Sequence, residues 1–465
     1  MTVSFLLGDG SMNDRKSMSR LLDFIINTKY NSLPSDVRCQ ARKCFLDLAA
    51  VLCAGAKNNS SQKAACYVHG NFPRGSNTVL ATGARTNLIG ASLANGMAAN
   101  ALDMDDGYSL LRGHPGAGFF GALLAAAEVS DCTYGEFLAA LVISYEISIR
   151  QGYTIRDFYK WDHSSGCYSA FGTVAGAGRL LGLNAEELEH ALGIADFIAP
   201  LNPAKRSCYV PSMNKDGIYY GQHAGMQAVM MSKAGITGRN PVILDDEYKS
   251  CIDTLGQRFY MFDLYVKFYS CCRWAHSPIR AISELMKKSR INVNDISAVN
   301  VYSFGNAGTL YRLPPTCEDE AQYNIIYPLA AQMLFGDCGP LESSTSKMLD
   351  KRVPAVMDKI KFIHDEEYDR YFPAKRLSRV EISTREGTVF KSGACEPPGD
   401  RNSDVTIDDL KKKAYKINGL YASDKKIETL VEDIIHLDEK ASFSKILSDI
   451  KILAKANKRK DIIFI

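Results

Sequence analysis

Few of the features that mark extracellular, membrane or nucleic-acid-binding proteins occur in this sequence. Its 13 cysteines are odd in number and include no CxxC pair, which argues against a disulfide framework or a zinc site and indicates free thiols in a reducing compartment. The longest run of small and apolar residues, 118–127, is too short to span a bilayer. The N-terminal segment has no basic leader ahead of a sustained apolar core and does not predict a signal peptide. We therefore expect a cytoplasmic protein without a membrane partner.

An excess of charge of one sign is also missing. Lys and Arg number 55 against 52 Asp and Glu, which gives a formal net charge of +3, and the two signs are interspersed. No stripe of basic residues with interleaved aromatic residues occurs, so we expect no nucleic-acid partner. The sequence has no Walker loop, GxSxG elbow or HExxH motif, and no convincing strand precedes a glycine-rich turn. Acid–base chemistry without a metal or organic cofactor is the function class that remains.

The first half of the chain is helical in pattern. Apolar residues at spacings of three and four follow Ser35 and predict a helix that ends at Gly55. Thr133 and Glu136 form a capping box ahead of a long apolar helix, and Asn184 begins a second box. Small residues dominate three further helical stretches, 88–102, 172–183 and 221–231.

The pattern changes after about residue 270. A helix over 278–287, an alternating strand over 298–304 and a hairpin of 379–384 with 389–391 predict mixed structure. Beyond residue 404 the pattern is helical again, with Thr406 as a cap. A chain of 465 residues is also too long for one compact core. We predict a mainly α protein with a large all-helical domain and an inserted smaller α+β lid domain, divided as 1–268 plus 405–465 and 269–404.

A cluster of carboxylates follows the small-residue stretch 88–102. Asp103, Asp105 and Asp106 come directly after it, and His114 lies a short loop further on between Gly and Pro residues. Buried carboxylates are costly unless they are paired, bound to a metal or functional. An N-cap cluster with a loop histidine explains the pattern about equally well. A metal site is conceivable, but no second histidine lies at ligand spacing on one helix.

Two further polar segments open small-residue helices. His163 and Ser164 precede the first, where backbone N–H groups suit an anionic ligand. Lys205 and Lys215 precede the second and would suit a carboxylate. A plain N-cap and surface lysines are the alternatives, and for the lysines the surface position is the more probable one on sequence alone.

The fourth polar segment, 267–277, lies at the predicted domain junction, where clefts usually form. Arg273 offers bidentate recognition of a carboxylate, and His276 can exchange protons near neutral pH. An interface with a packed tryptophan and a satisfied histidine is the alternative. A nucleophilic Cys272 lacks a recognisable partner signature.

Ordered segments along nearly the whole chain resemble the MmgE/PrpD family. They are 33–37, 45–47, 95–96, 101–106, 114–116, 144–146, 215–216, 235–238, 271–276, 321–327 and 398–400. The block 271–276 is the most specific of them. The family includes 2-methylcitrate dehydratase, cis-aconitate decarboxylase and iminodisuccinate epimerase.

The resemblance implies a helical domain with an α+β lid, an active-site cleft between them, no metal and a homodimer. It also implies catalytic positions at Asp103, His114, Lys215, His276 and Tyr327. We add Arg273, His163, Ser164 and Lys205 as substrate-binding residues. The sequence departs from the family pattern at one position that bears on the identity of the substrate. Gly107 stands where the decarboxylase-like pattern has a threonine.

The sequence predicts an enzyme that moves a proton at a carbon next to a carboxylate of a small di- or tricarboxylate. A hydro-lyase similar to 2-methylcitrate dehydratase is the first choice. A decarboxylase comes second and an isomerase or epimerase third. A catalytically silent binding protein is the least favoured alternative.

Overall fold

The computed structural model describes residues 12–161, 164–238, 241–245 and 249–455. The fold is mainly helical, as predicted. The helices of the first 255 residues are α1 Met12–Asn27, α2 Ser35–Gly55, α3 Asn59–Asn71, α4 Leu88–Asn100, α5 Ala117–Ser130, α6 Tyr134–Tyr159, α7 Gly166–Leu180, α8 Ala185–Ile198, α9 Arg206–Tyr209, α10 Ile218–Lys233 and α11 Lys249–Asp253.

Shorter helices are more frequent in the second half of the chain. They are α12 His276–Ser289, α13 Glu318–Gln322, α14 Tyr327–Phe335, α15 Thr345–Met348, α16 Val353–Met357, α17 Glu366–Asp369, α18 Ile407–Asn418, α19 Asp424–His436 and α20 Ser444–Ala454. None of the helices in the described part of the chain is long and apolar enough to cross a membrane.

The strands form three small sheets. They are β1 Asn77–Thr78, β2 Arg85–Thr86, β3 Gly107–Tyr108, β4 Leu264–Tyr265, β5 Ile296–Ser303, β6 Ile360–His364, β7 Ser378–Thr384 and β8 Val389–Lys391. β1 pairs with β2, and β3 pairs with β4. The largest sheet has the order β6-β5-β7-β8, with β5 parallel to β6 and antiparallel to β7.

Local signals predicted the main elements well. The capping boxes at Thr133, Asn184 and Thr406 are formed, and β7 pairs with β8 as the predicted hairpin. α2 ends at Gly55, although the residue before Ser35 is its N-cap. The sequence pattern missed β1 to β4 because two-residue strands carry no periodic signal. It also missed β6, which pairs in parallel with a distant segment.

Glycines bring α4 and α5 into backbone contact. A Cβ at Gly121 would lie 2.5 Å from the backbone nitrogen of Gly96, so any larger residue would force these helices apart. Because α4 leads into the Asp103 loop and α5 follows His114, this close approach brings the two loops together.

Two of the apolar cores support the predicted division of the chain. One includes Val299, Leu329 and Val380 and lies within the segment 271–382 apart from Cys208. A second core combines N-terminal helices with α18, α19 and α20, and the rings of Phe137 and Phe443 stack within it at 3.8 Å. We propose that 1–268 plus 405–465 and 269–404 are the two units; the action of the second as a lid stays a prediction.

A buried ion pair ties the C-terminal helices to the N-terminal helices of the same unit. Lys413 Nζ on α18 lies 2.6 Å from the Asp47 carboxylate on α2 and donates to the carbonyl of Met104 at 2.7 Å. Both side chains are almost fully buried.

Removing the charge of Lys413 should destabilise the protein strongly. Lys413→Met keeps the volume but leaves Asp47 buried without its partner, so the free energy of unfolding should fall by about 3–5 kcal/mol. Lys412→Met is the matched control, because Lys412 is exposed and pairs only loosely with Asp409 at 3.8 Å; its effect should stay below about 1 kcal/mol. Urea unfolding measures both. Equal effects of the two substitutions would contradict the packing described for α18.

Candidate active site

A narrow cleft lies where the two units meet. It is lined by Arg112, His114, Ala204, Lys205, Cys208, Asp216, Tyr265, Cys272, Arg273, Trp274, Tyr323 and Arg376. Its cavity volume is about 40 Å³, where about 10–15 Å³ is the least that holds one water molecule. A carboxylic acid with several carbons would therefore need a wider cleft than the one in this structure.

His114 is held between the two loops that α4 and α5 bring together. Its backbone N–H donates to Ser165 Oγ at 2.9 Å, which fixes the loop. Ring atom Nδ1 lies 3.1 Å from the Asp105 carboxylate and 3.0 Å from the carbonyl oxygen of Asp106. On the other side of the ring, Nε2 lies 3.6 Å from the Asp216 carboxylate. Both ring nitrogens therefore face oxygen acceptors, an environment that favours a protonated ring.

The carboxylates around His114 determine its charge. Burial opposes the charged ring, but the carboxylates of Asp105 and, to a smaller extent, Asp103 together outweigh burial and raise the pKa of His114 to about 9. Burial likewise disfavours ionised Asp105, yet His114 lowers the pKa of that carboxyl. Asp105 also accepts from Asn100 Nδ2 at 2.9 Å. The two side chains form a buried ion pair at neutral pH.

Asp103 is neutralised mainly by a lysine that the sequence analysis did not assign. Lys267 Nζ lies 2.8 Å from its carboxylate, and both side chains are fully buried. Burial lowers the pKa of Lys267, but the surrounding groups, Asp103 first and Asp105 among them, together outweigh this effect and raise it. The other oxygen of Asp103 lies 3.8 Å from His114 Nε2. Asp103 therefore lies between two cations.

The same side chains could in principle hold a metal ion. Asp103, Asp105 and His114 offer ligand atoms within 4.8 Å of one another. Lys267 and the protonated His114 already supply the positive charge that these carboxylates require. A metal ion would have to displace the proton of His114, because only a neutral ring can coordinate. The donor set fits the ion-pair network better than a metal.

Lys215 lies next to the cleft but donates to the protein itself. Its Nζ donates to the carbonyls of Asn100 and Ala101 at 3.0 and 2.9 Å, and to Gln322 Oε1 at 2.5 Å. The lysine thereby ties the C-terminal end of α4 to α13. Its predicted catalytic role stays a prediction, and contact with a substrate would require it to release one of these acceptors.

Arg273 and His276 lie side by side with different exposure to the cleft. Arg273 lines the cleft, and its Nη1 donates to the carbonyl of Pro398 at 2.6 Å. His276 is fully buried, with Nε2 3.1 Å from the carbonyl of Cys271 and Nδ1 3.4 Å from Arg273 Nη1. Burial, reinforced by Arg273, lowers the pKa of His276. A neutral ring protonated at Nε2 satisfies both contacts, which suits a role in positioning Arg273.

The predicted tyrosine, Tyr327, is not among the residues that line the cleft. The hydroxyl of Tyr327 donates to the backbone carbonyl of Glu342 within the core of the α+β unit. Tyr323 lines the cleft instead, and its hydroxyl donates to the Asp216 carboxylate at 3.1 Å. The catalytic role of Tyr327 stays a prediction. Tyr323 has a hydroxyl that is hydrogen-bonded to a residue of the cleft wall.

The remaining predicted substrate-binding residues differ in their exposure and in their position relative to the cleft. Lys205 is exposed and lines the cleft. Ser164 is buried, and its Oγ has no hydrogen-bond partner among the residues described. His163 lies outside the described residues.

The structure thus brings together only part of the predicted set. His114, Arg273 and Lys205 surround one cleft, with Asp103 behind them. Sequence reasoning assigned no role to several residues that contact or line this site, among them Asp105, Asp216, Tyr265, Lys267, Tyr323 and Arg376. A signal existed for two of them, because Asp105 is part of the carboxylate cluster and Lys267 opens the segment of Arg273.

Comparison with known proteins points to one family. The model described as the MmgE/PrpD N-terminal domain matches residues 19–258, and that of the C-terminal domain matches 269–437. A protein named cis-aconitate decarboxylase from Aspergillus terreus (strain NIH 2624 / FGSC A1156) is 25% identical over 464 residues, which cover 90% of this chain and 93% of the relative. A cis-aconitate decarboxylase-like protein, oryM, from Aspergillus oryzae (strain ATCC 42149 / RIB 40) is 22% identical, covering 96% and 99%.

Protonation of His114 should contribute to stability in a defined pH range. Because its folded pKa is about 9 and its ordinary value 6.5, the contribution is fully present below about pH 6.5 and is lost as the pH rises through about 9. The difference in unfolding free energy between the wild type and His114→Gln should change by about 3 kcal/mol across this range. Denaturant unfolding at several pH values measures it.

Asp105→Asn provides the comparison for this experiment. It removes the carboxylate that contributes most to the raised pKa of His114. When His114→Gln is added to Asp105→Asn, the resulting change in unfolding free energy should therefore depend much less on pH than in the wild type. A wild-type difference that stays constant from pH 6 to pH 10 would contradict a cationic His114.

Proposed function

Because the chain belongs to the MmgE/PrpD family, we propose that it is a lyase acting on a small di- or tricarboxylate without a metal or organic cofactor. The observation that carries this proposal is a protonated histidine in a basic cleft. Four of the described lining residues are Lys or Arg, whereas Asp216 is the one carboxylate among them. Such a cleft attracts an anion and offers it a proton.

Arg273 and Lys205 bind carboxylates of the substrate in this proposal. Two buried nitrogens of Arg273, Nε and Nη2, have no hydrogen-bond partner in the described part of the chain. A carboxylate matches the planar fork of a guanidinium with two parallel hydrogen bonds. Negative charge that develops on the substrate is also stabilised by the fixed positive groups.

His114 supplies the proton. In a decarboxylation, the bond between a carbon and its carboxylate breaks, CO₂ leaves and the electron pair stays on the carbon. That carbon then takes the proton from His114 Nε2, and the ring regains a proton from solvent. Asp105 holds the ring in place through Nδ1 and keeps it protonated before the reaction.

We now favour decarboxylation of an acid similar to cis-aconitate, although the sequence analysis ranked dehydration first. The names of the relatives support this order. Decarboxylation needs one acid, which His114 provides. Dehydration also needs a base to remove a proton next to a carboxylate; Asp216 is a candidate, since its carboxylate lies 3.6 Å from His114 Nε2. Dehydration is therefore the second candidate, and an isomerase is the third.

Proton NMR in D₂O identifies the reaction. We expect the purified protein to convert cis-aconitate to a product with one fewer carboxylate and one deuteron on carbon. Citrate and methylcitrate serve as substrates for dehydration, where a new alkene signal would favour the second candidate. His114→Gln should slow turnover by about 100-fold or more.

His364→Gln is the matched control because His364 is exposed and pairs only with Asp369 in the described contacts. It should turn over like the wild type. Full activity of His114→Gln would contradict the proposed proton donor. No conversion of any of the acids by the wild type would favour a binding protein.

A further inference from the structure

Two buried guanidinium groups lie against one tyrosine ring in the cleft. The Cζ atoms of Arg273 and Arg376 are 4.5 and 5.5 Å from the centroid of the Tyr265 ring. Arg273 is 2% exposed and Arg376 is 1% exposed. Each contact is favourable, because the face of an aromatic ring attracts a cation. Two like charges, however, are brought together in a region of low dielectric constant.

The residues that the structure describes supply less negative charge near these arginines than two buried cations require. Arg273 Nη2 lies 3.7 Å from the Asp400 carboxylate. Arg376 donates to the hydroxyl and the carbonyl of Ser109 at 2.8 and 3.3 Å and to the carbonyl of Pro373 at 3.4 Å, all of them uncharged oxygens.

Donor atoms of both arginines also remain available. Arg273 Nε and Nη2 and Arg376 Nε are buried without a hydrogen-bond partner in the residues that the structure describes. Both residues line the cleft. Leaving buried charged donors unsatisfied is costly, and a bound anion would satisfy them.

Gly107 makes this arrangement possible. Gly107 pairs with Tyr265 across the β3–β4 ladder, and a Cβ at this position would lie 2.3 Å from Cζ and Oη of the Tyr265 ring. The ring therefore occupies the space that any side chain at position 107 would take. Position 107 is also where this sequence has a glycine in place of the threonine of the decarboxylase-like pattern. The substitution therefore lies next to Tyr265, the tyrosine that contacts both arginines.

We propose that Arg273 and Arg376, packed on Tyr265, form a binding subsite for a carboxylate that does not react. This inference rests on the proposed function and narrows its substrate class. A substrate must carry one carboxylate for the arginines and a second group that reaches His114. Acids with two or three carboxylates therefore bind, and monocarboxylates bind weakly.

Binding of unreactive acids tests the subsite without turnover. Isothermal titration calorimetry at pH 7 would compare tricarballylate, glutarate and acetate. We expect the wild type to bind tricarballylate most tightly and acetate most weakly. Arg376→Gln should weaken tricarballylate binding by about 10- to 100-fold, the usual loss for a charge-assisted hydrogen-bonded contact.

Arg385→Gln is the matched control, since Arg385 is exposed on the β7–β8 turn of the same unit. It should bind tricarballylate like the wild type. If Arg376→Gln does not fold by circular dichroism, Arg376→Lys replaces it, because that substitution keeps the charge and loses only the fork. It should weaken binding several-fold.

The outcomes separate this inference from the proposed function. Wild-type affinity in the folded Arg376 variant would overturn the subsite and leave the polycarboxylate function standing. A wild type that binds none of the three acids would overturn both. Weaker binding of tricarballylate by the Arg376 variant, but not by Arg385→Gln, would support the subsite.

Discussion

The site depends on one buried ion pair, that of Asp105 with His114. Charges that are removed from water are stable only when their partners are close and well oriented, and here Nδ1 and the carboxylate lie 3.1 Å apart. The pair keeps a positive charge on a histidine that burial alone would neutralise. It does so next to a cleft whose other charged groups are mostly basic. A polyanion and a proton donor can therefore meet there.

Further ion pairs surround this one and allow it to be buried. Lys267 neutralises Asp103 on one side, and Lys413 neutralises Asp47 behind the loop. The backbone at Asp103 has φ of +51°, a left-handed conformation that is costly for a residue other than glycine. The close packing of α4 against α5 and the ties from Lys215 hold that loop in position. Stability and the candidate chemistry thus depend on the same contacts.

Local patterns predicted the helices, their caps and the β7–β8 hairpin, because the information lies within a few residues. They also indicated Asp103 and His114, since polar residues in an apolar context are conspicuous. The Tyr265 subsite could not be found this way. It depends on the pairing of Gly107 with Tyr265, which lies more than 150 positions further along the chain. It also depends on the hydrogen bond from Arg376 to Ser109 in the other unit. The family resemblance over 321–327 implied Tyr327, whereas Tyr323, at the end of α13, is the residue of this segment that lines the cleft.

The charge of His114 is the central claim, and direct titration tests it. Nitrogen-15 NMR of the histidine-labelled protein, assigned with His114→Gln, reports the protonation of each ring nitrogen from pH 5 to pH 10. We predict that both nitrogens of His114 stay protonated at pH 7 and that the ring titrates near pH 9. A ring that titrates at or below pH 6.5 would contradict the ion pair and, with it, the assignment of His114 as the proton donor.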